Sequence, residues 1–190
     1  MHDSLEIQLS DIDRQLAEDD VRRRELPKRE FGVPTQKVDE SRSDYKINYL
    51  GVLAEMAVGK MLGVPHNTHE RLCGDDGYDM IWCGKTCEVK FTFYAKGHLL
   101  VKRKEDVVAD LFILVTGNDR SMHLLGWTDR KDFLRLGGIK DFGYGAVYAM
   151  NQMKLKSMDA FDPVQKKLLD MISETGGERN GRGIESAEAV

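Results

Sequence analysis

Between Asp79 and Phe93 the chain alternates in the manner of two paired strands. Met80, Ile81 and Trp82 form a short apolar run, Cys83-Gly84-Lys85 carries the residues of a tight reversal, and Thr86 to Phe93 forms a second run. Successive side chains on a strand point to opposite faces. Cys87, Val89, Phe91 and Phe93 therefore share one face, and Glu88, Lys90 and Thr92 share the other. The first set is wholly apolar and calls for a core. The second puts an acid beside an amine on an otherwise hydrophobic strand.

Upstream the period changes. Leu50, Leu53, Met56, Ala57, Met61 and Leu62 fall at helical spacing, and Gly63 before Val64-Pro65 is a stop signal. This helix is predicted from about Asp39, with Asp39, Ser41 or Ser43 as its cap. Downstream, Ala109 to Thr116 reads as a buried central strand, His123 to Trp127 as another, and Thr128 to Lys131 as the opening of a helix that runs through Leu136. Residues 3–24 read as one amphipathic helix with a heptad-like seam of Leu5, Leu9, Ile12 and Leu16. Packing on its own domain is the plain reading, and a dimer-forming arm the sharper one. Arg22, Arg23 and Arg24 follow, read as a phosphate contact or a solvated face, and Pro27 and Pro34 mark a linker. Tyr94 to His98 is predicted as a loop, Leu99–Val101 and Val147–Met150 as strands, Pro163–Ile172 as a helix, and the polar stretch from Ser173 as disordered. The organisation expected is residues 1–37 as N-terminal helix and linker, 38–172 as the main domain, and 173–190 as a tail.

Composition narrows the class. At 190 residues with 41% hydrophobic and 32% charged positions, one soluble domain with extensions is expected. No run is apolar enough to span a bilayer, and the N-terminus lacks the order of a secretory signal. Three cysteines suit a reducing, cytoplasmic setting better than a disulfide framework. The net charge of −4 makes any basic surface a local one.

An ionised group on a hydrophobic strand is costly to bury unless it is paired or bound to metal. Oxygen donors from Asp and Glu suit Mg²⁺ and Mn²⁺. Such a metal lowers the pKa of bound water and stabilises charge on a phosphoryl oxygen, while a nearby lysine orients the water. The spacing Asp79-x8-Glu88-x-Lys90 resembles the motif of the PD-(D/E)XK nuclease superfamily, although Tyr78 stands where the eponymous proline would be. The segment Gly51-x-x-Ala54-Glu55-x-Ala57 on the preceding helix is similar to the first motif of that superfamily. The resemblance covers roughly residues 42–136.

It implies a restriction-endonuclease-like α/β core, with a mixed central sheet flanked by helices, and Mg²⁺- or Mn²⁺-dependent hydrolysis of DNA. It assigns Asp79, Glu88 and the Val89 carbonyl to the metal, Glu55 to a second ion or its water, and Lys90 to the attacking water. Tyr94, Lys96, Lys102, Arg103 and Lys104 are the expected DNA contacts. The compact form resembles phage-type nucleases. The other readings are a non-catalytic nucleic-acid-binding or assembly protein on the same fold and a dimeric Holliday-junction resolvase. A zinc site among His66, His69, Cys73, Cys83 and Cys87 lacks the usual ligand spacing. Three cysteines do not supply the four ligands of the iron–sulfur cluster found in some relatives.

Overall fold

The computed structural model describes residues 4–30, 43–64 and 77–161. Among these residues the chain builds a mixed five-stranded sheet and a second, three-stranded sheet. In chain order the elements are β1 (Leu5–Gln8), α1 (Asp11–Glu30), α2 (Asp44–Leu62), β2 (Met80–Trp82), β3 (Lys85–Phe91), β4 (His98–Val101), β5 (Leu111–Gly117), β6 (Ser121–Asp129), α3 (Arg130–Leu136), β7 (Gly138–Asp141) and β8 (Ala146–Asn151). The larger sheet has the order β1-β6-β5-β3-β2 and the smaller β4-β8-β7. Among the described residues only the β3–β5 pair is parallel.

β5 is the centre of the fold. Its residues alternate between two cores: Ile113 and Val115 pack towards α2, while Phe112 and Leu114 pack towards the smaller sheet and α3. All four are fully buried, and each such side chain stabilises the fold by roughly 1.5–3 kcal/mol. Helices thus flank the sheet, with α1 and α2 over one face. Over the other, α3 sends Phe133 against Phe112 at 5.0 Å between ring centres, and the three-stranded sheet covers the rest. No helix among the described residues is long and apolar enough to cross a membrane.

The hairpin of β2 and β3 forms where the alternation places it. Cys83 at φ 48° and Gly84 at φ 73° make the turn, the left-handed pair that a two-residue hairpin loop demands. α2 begins later than expected, at Asp44, with Ser43 accepting from the Lys46 amide at 3.3 Å. Positions 39–42 lie outside the described residues. The helix ends at Gly63 as anticipated.

The N-terminal expectation needs correction. Residues 5–8 form a strand paired with β6, Leu5 opposite Leu124, so the continuous seam does not exist. A capping box then starts α1. The Ser10 hydroxyl accepts from the Asp13 amide at 3.2 Å, and the Asp13 carboxylate accepts from the Ser10 amide at 2.6 Å. In the resulting helix Ala17 and Val21 are buried against the main core, while Ile12 is 70% exposed. The linker does not begin at Pro27 either, because α1 runs through it to Glu30. Pro34, the helix expected at Pro163–Ile172 and the tail lie outside the described residues.

Candidate active site

Asp79 stands where β2 begins to separate from β3. Its amide donates to the Cys87 carbonyl at 2.9 Å, and its Oδ2 accepts from the Val89 amide at 2.6 Å. The carboxylate therefore occupies the place a neighbouring strand would take. In a parallel pair alternate residues bond opposite neighbours. The Thr92 amide donates to Val115 on β5, so the odd residues of β3 turn their backbone groups towards β2. The Val89 carbonyl consequently points to the same edge as Asp79.

Glu88 and Lys90 share the face of β3 that continues into Phe112 and Leu114 of β5. Glu88 is 4% exposed, and Lys90 Nζ is salt-bridged to its Oε1. Cys87 and Val89 lie on the opposite face, inside the core with α2. Buried Ala54 and Ala57 flank Glu55 on α2. Their small side chains leave room for α1, whose Arg24 reaches across as a fork: Nη1 to Glu55 Oε1 at 3.2 Å and Nη2 to Oε2 at 2.8 Å. The Nε of the same guanidinium bonds Asp20 Oδ2 at 2.8 Å.

The electrostatics ties these groups together. Burial, then the charges of Glu55 and Glu88, push the Asp79 carboxyl well above the usual carboxylate range, while Lys90 and the Val89 amide pull the other way. Burial alone would lower the Arg24 pKa, but Glu55, Asp20 and Asp79 raise it on balance. Arg24 is thus a member of the site, although its place in the sequence suggests a solvated or phosphate-binding face. Its one local signal is the spacing of four from Asp20, which suits an intrahelical pair.

The fold therefore gathers Glu55, Asp79, Glu88, Val89 and Lys90 from α2 and the hairpin into one neighbourhood. The oxygen donors have the right chemistry for a hard cation. Their present orientations serve other partners: Glu55 is turned to Arg24 and Glu88 to Lys90. Among the described residues no three carboxylate, imidazole or thiol groups converge on one point.

Lys102, Arg103 and Lys104 are exposed in the loop after β4, with Arg103 bonded to Asp106 at 3.0 Å. This loop adjoins the turn that delivers Asp79, because Val108 packs so closely on Gly77 that a Cβ there would collide with it. Tyr94, 58% exposed, and Lys96 lie on the loop leaving β3. Cys87 is fully buried, and burial followed by the charges of Asp79 and Glu88 pushes its thiol up. His66, His69 and Cys73 lie outside the described residues.

No family model matches this sequence, and neither a curated protein nor a solved structure matches it.

Proposed function

We propose that this protein is a Mg²⁺- or Mn²⁺-dependent deoxyribonuclease on a restriction-endonuclease-like core. The observation that carries the reading is the buried Asp79 carboxylate, held by the Val89 amide at the edge of the strand on which Glu88 and Lys90 pair, with Glu55 on the helix packed against that strand. Nothing in folding favours grouping like charges around a buried carboxyl, and such groupings mark functional sites. The sheet supports it. Asp79 immediately precedes β2, which pairs antiparallel with the strand of Glu88, β3 runs parallel to β5, and the helix bearing Glu55 packs on β3.

Asp79 and Glu88 would hold the metal together with the Val89 carbonyl, and Glu55 would hold a second ion or a water bound to it. When bound, the metal supplies a water of lowered pKa and neutralises charge on the phosphoryl oxygens. The Val89 amide holds the Asp79 carboxylate in one orientation at that edge. Lys90, ion-paired with Glu88, would orient the attacking water or offset charge developing on the phosphate. Lys102, Arg103 and Lys104, beside the Asp79 turn, would hold DNA phosphates, with Tyr94 and Lys96 guiding the strand as it leaves.

The test is incubation of matched supercoiled, linear, single-stranded and branched DNA with the protein in Mg²⁺, Mn²⁺, Ca²⁺ or EDTA. Cleavage in Mg²⁺ or Mn²⁺ that Lys90→Ala abolishes supports the proposal. Full cleavage in excess EDTA would overturn it. Preference for branched DNA would select a dimeric resolvase, for which Ile12 and Leu16 on α1 are the exposed apolar residues a homodimer would bury. One observation favours the reading as a non-catalytic binding or assembly protein: Glu55 and Glu88 are already satisfied by cations of the chain itself. DNA binding without cleavage of any form would decide for it.

A further inference from the structure

The three-stranded sheet turns one face, with Tyr148 and Met150, to the core, and its other face carries Leu100, Ala149 and Gly138 in one row. Gly138 and Ala149 are the small pair of that row. A cleft of about 370 Å³ opens over these two residues, with Lys140, Lys154 and Asn151 around it. Lys154 Nζ donates to the Leu136 carbonyl at 2.9 Å on one wall. On the other side Lys140 Nζ lies 3.0 Å from His98 Nε2, and Asn151 Nδ2 lies 3.5 Å from the same nitrogen.

Exposed apolar groups border these amines. Phe142, 39% exposed, packs edge-on to His98 with 5.0 Å between ring centres, and Tyr144, 56% exposed, stands in the turn between β7 and β8. Met153, 65% exposed, lines the cleft beside them. Large apolar side chains gathered in the open, instead of scattered singly, mark a contact surface.

We propose that this face binds a single nucleic-acid strand and leads it to Lys90. Amines beside exposed aromatic rings meet the two needs of such a ligand, a cation for each phosphate and a flat surface for each base. A duplex hides its base faces and gives Phe142 and Tyr144 nothing to stack on. A purely apolar partner would bury the Lys140 and Lys154 ammonium groups against neutral partners alone.

Backbone and packing contacts join this sheet to the strand that bears Lys90. The Gln152 amide donates to the Gly97 carbonyl at 3.4 Å, and Gly97 packs so closely on Thr92 that a Cβ there would collide with it. Thr92 follows Lys90 on the same face of the chain. Tyr94 and Lys96 lie on the loop between. The proposal rests on the nuclease reading for where the strand leads, and not for the binding itself.

The test is fluorescence anisotropy with a labelled twelve-nucleotide oligo(dT) and a duplex of equal length, in EDTA, across a range of salt. The wild type binds the oligo(dT) more tightly than the duplex. Tyr144→Ala, a change at an exposed position, weakens oligo(dT) binding roughly tenfold. Lys140→Ala with Lys154→Ala flattens the plot of log K against log salt by about 0.7 for each phosphate no longer neutralised. Unchanged affinity and slope in both variants, or a wild type that prefers the duplex, would overturn the proposal. So would self-association that Tyr144→Ala abolishes while oligo(dT) affinity stays the same, which would give the face to a second copy of this chain. Oligo(dT) binding through these residues with no DNA cleaved in Mg²⁺ would sink the nuclease reading and leave the strand site standing. Cleavage with oligo(dT) binding indifferent to these residues would sink the strand site alone.

Discussion

Two clusters of acids and cations sit in this fold and behave in opposite ways. At the start of α3, Lys156 Nζ lies 2.5 Å from Asp129 and 2.9 Å from Asp132, and Arg135 bonds Asp132 at 2.7 Å. Hydrogen bonds from Lys156 and Arg135 hold the Asp132 carboxyl down at about 2. Acids at a helix N-terminus also meet a favourable dipole. Around β3, by contrast, burial and like charges hold the Asp79 carboxyl up despite Arg24 and Lys90 nearby. The first cluster lowers the free energy of the fold. In the second, burial and like charges work against the ionised form of Asp79. A cluster of the second kind is what a site kept for chemistry looks like.

The largest effect that sharpens this contrast is on rate. Lys90→Ala should lower DNA cleavage by about two to four orders of magnitude while DNA binding in Ca²⁺ stays nearly constant. Lys156→Ala should leave the rate alone. Equal loss of rate and affinity in Lys90→Ala would make Lys90 a phosphate anchor.

Next is Arg24→Met, which strips the fork from Glu55 and Asp20. Removing one partner of a largely buried pair is expensive, and with Arg24 29% exposed a loss of roughly 2 kcal/mol is expected after allowing for solvent screening. Urea denaturation measures it, and Arg24→Lys should restore part. A loss below about 0.5 kcal/mol would reduce the fork to an ordinary surface bridge.

Asp79→Asn keeps an acceptor for the Val89 amide and removes the charge. Because the folded pKa of Asp79 lies above its ordinary 3.8, the folded state holds that proton more tightly than the unfolded chain. Stability from this group is greatest below 3.8 and declines as pH rises through the raised value. The variant should therefore be more stable at pH 7, by roughly 1 kcal/mol, and should lose that decline. A destabilised variant with an unchanged profile would contradict the assignment.

Asp132→Asn is the counterpart, smaller and of opposite sign. Its depressed pKa contributes stability above the ordinary 3.8 that is lost as pH falls towards about 2. At pH 7 the variant should lose about 0.5 kcal/mol, and should sit level with the wild type near pH 2 in thermal melts.

What was legible in the sequence was local. The alternation from Cys87 to Phe93 assigned the faces of β3, because one face of a buried strand must be apolar throughout. The spacing of Glu88 and Lys90 placed them side by side for the same reason. The first strand was hidden because Leu5, Leu9, Ile12 and Leu16 fit a helix, and only pairing with distant β6 overrides that period. Ser10 and Asp13 nevertheless carried a capping-box signal that would have started the helix at its true position. The bond from Arg24 to Glu55 spans 31 residues and two helices, and no periodicity encodes it. β7, flanked by glycines and mostly exposed, has no hydrophobic pattern to read. The smaller sheet over the Phe112 face was legible only in its strand fragments.

The contrast between the two clusters meets its most direct test in calorimetric titration of Mn²⁺ into the wild type, Asp79→Asn and Asp132→Asn. The wild type and Asp132→Asn should bind the ion alike, and Asp79→Asn should not bind it. Equal binding by Asp79→Asn, or no binding by the wild type, would contradict the account.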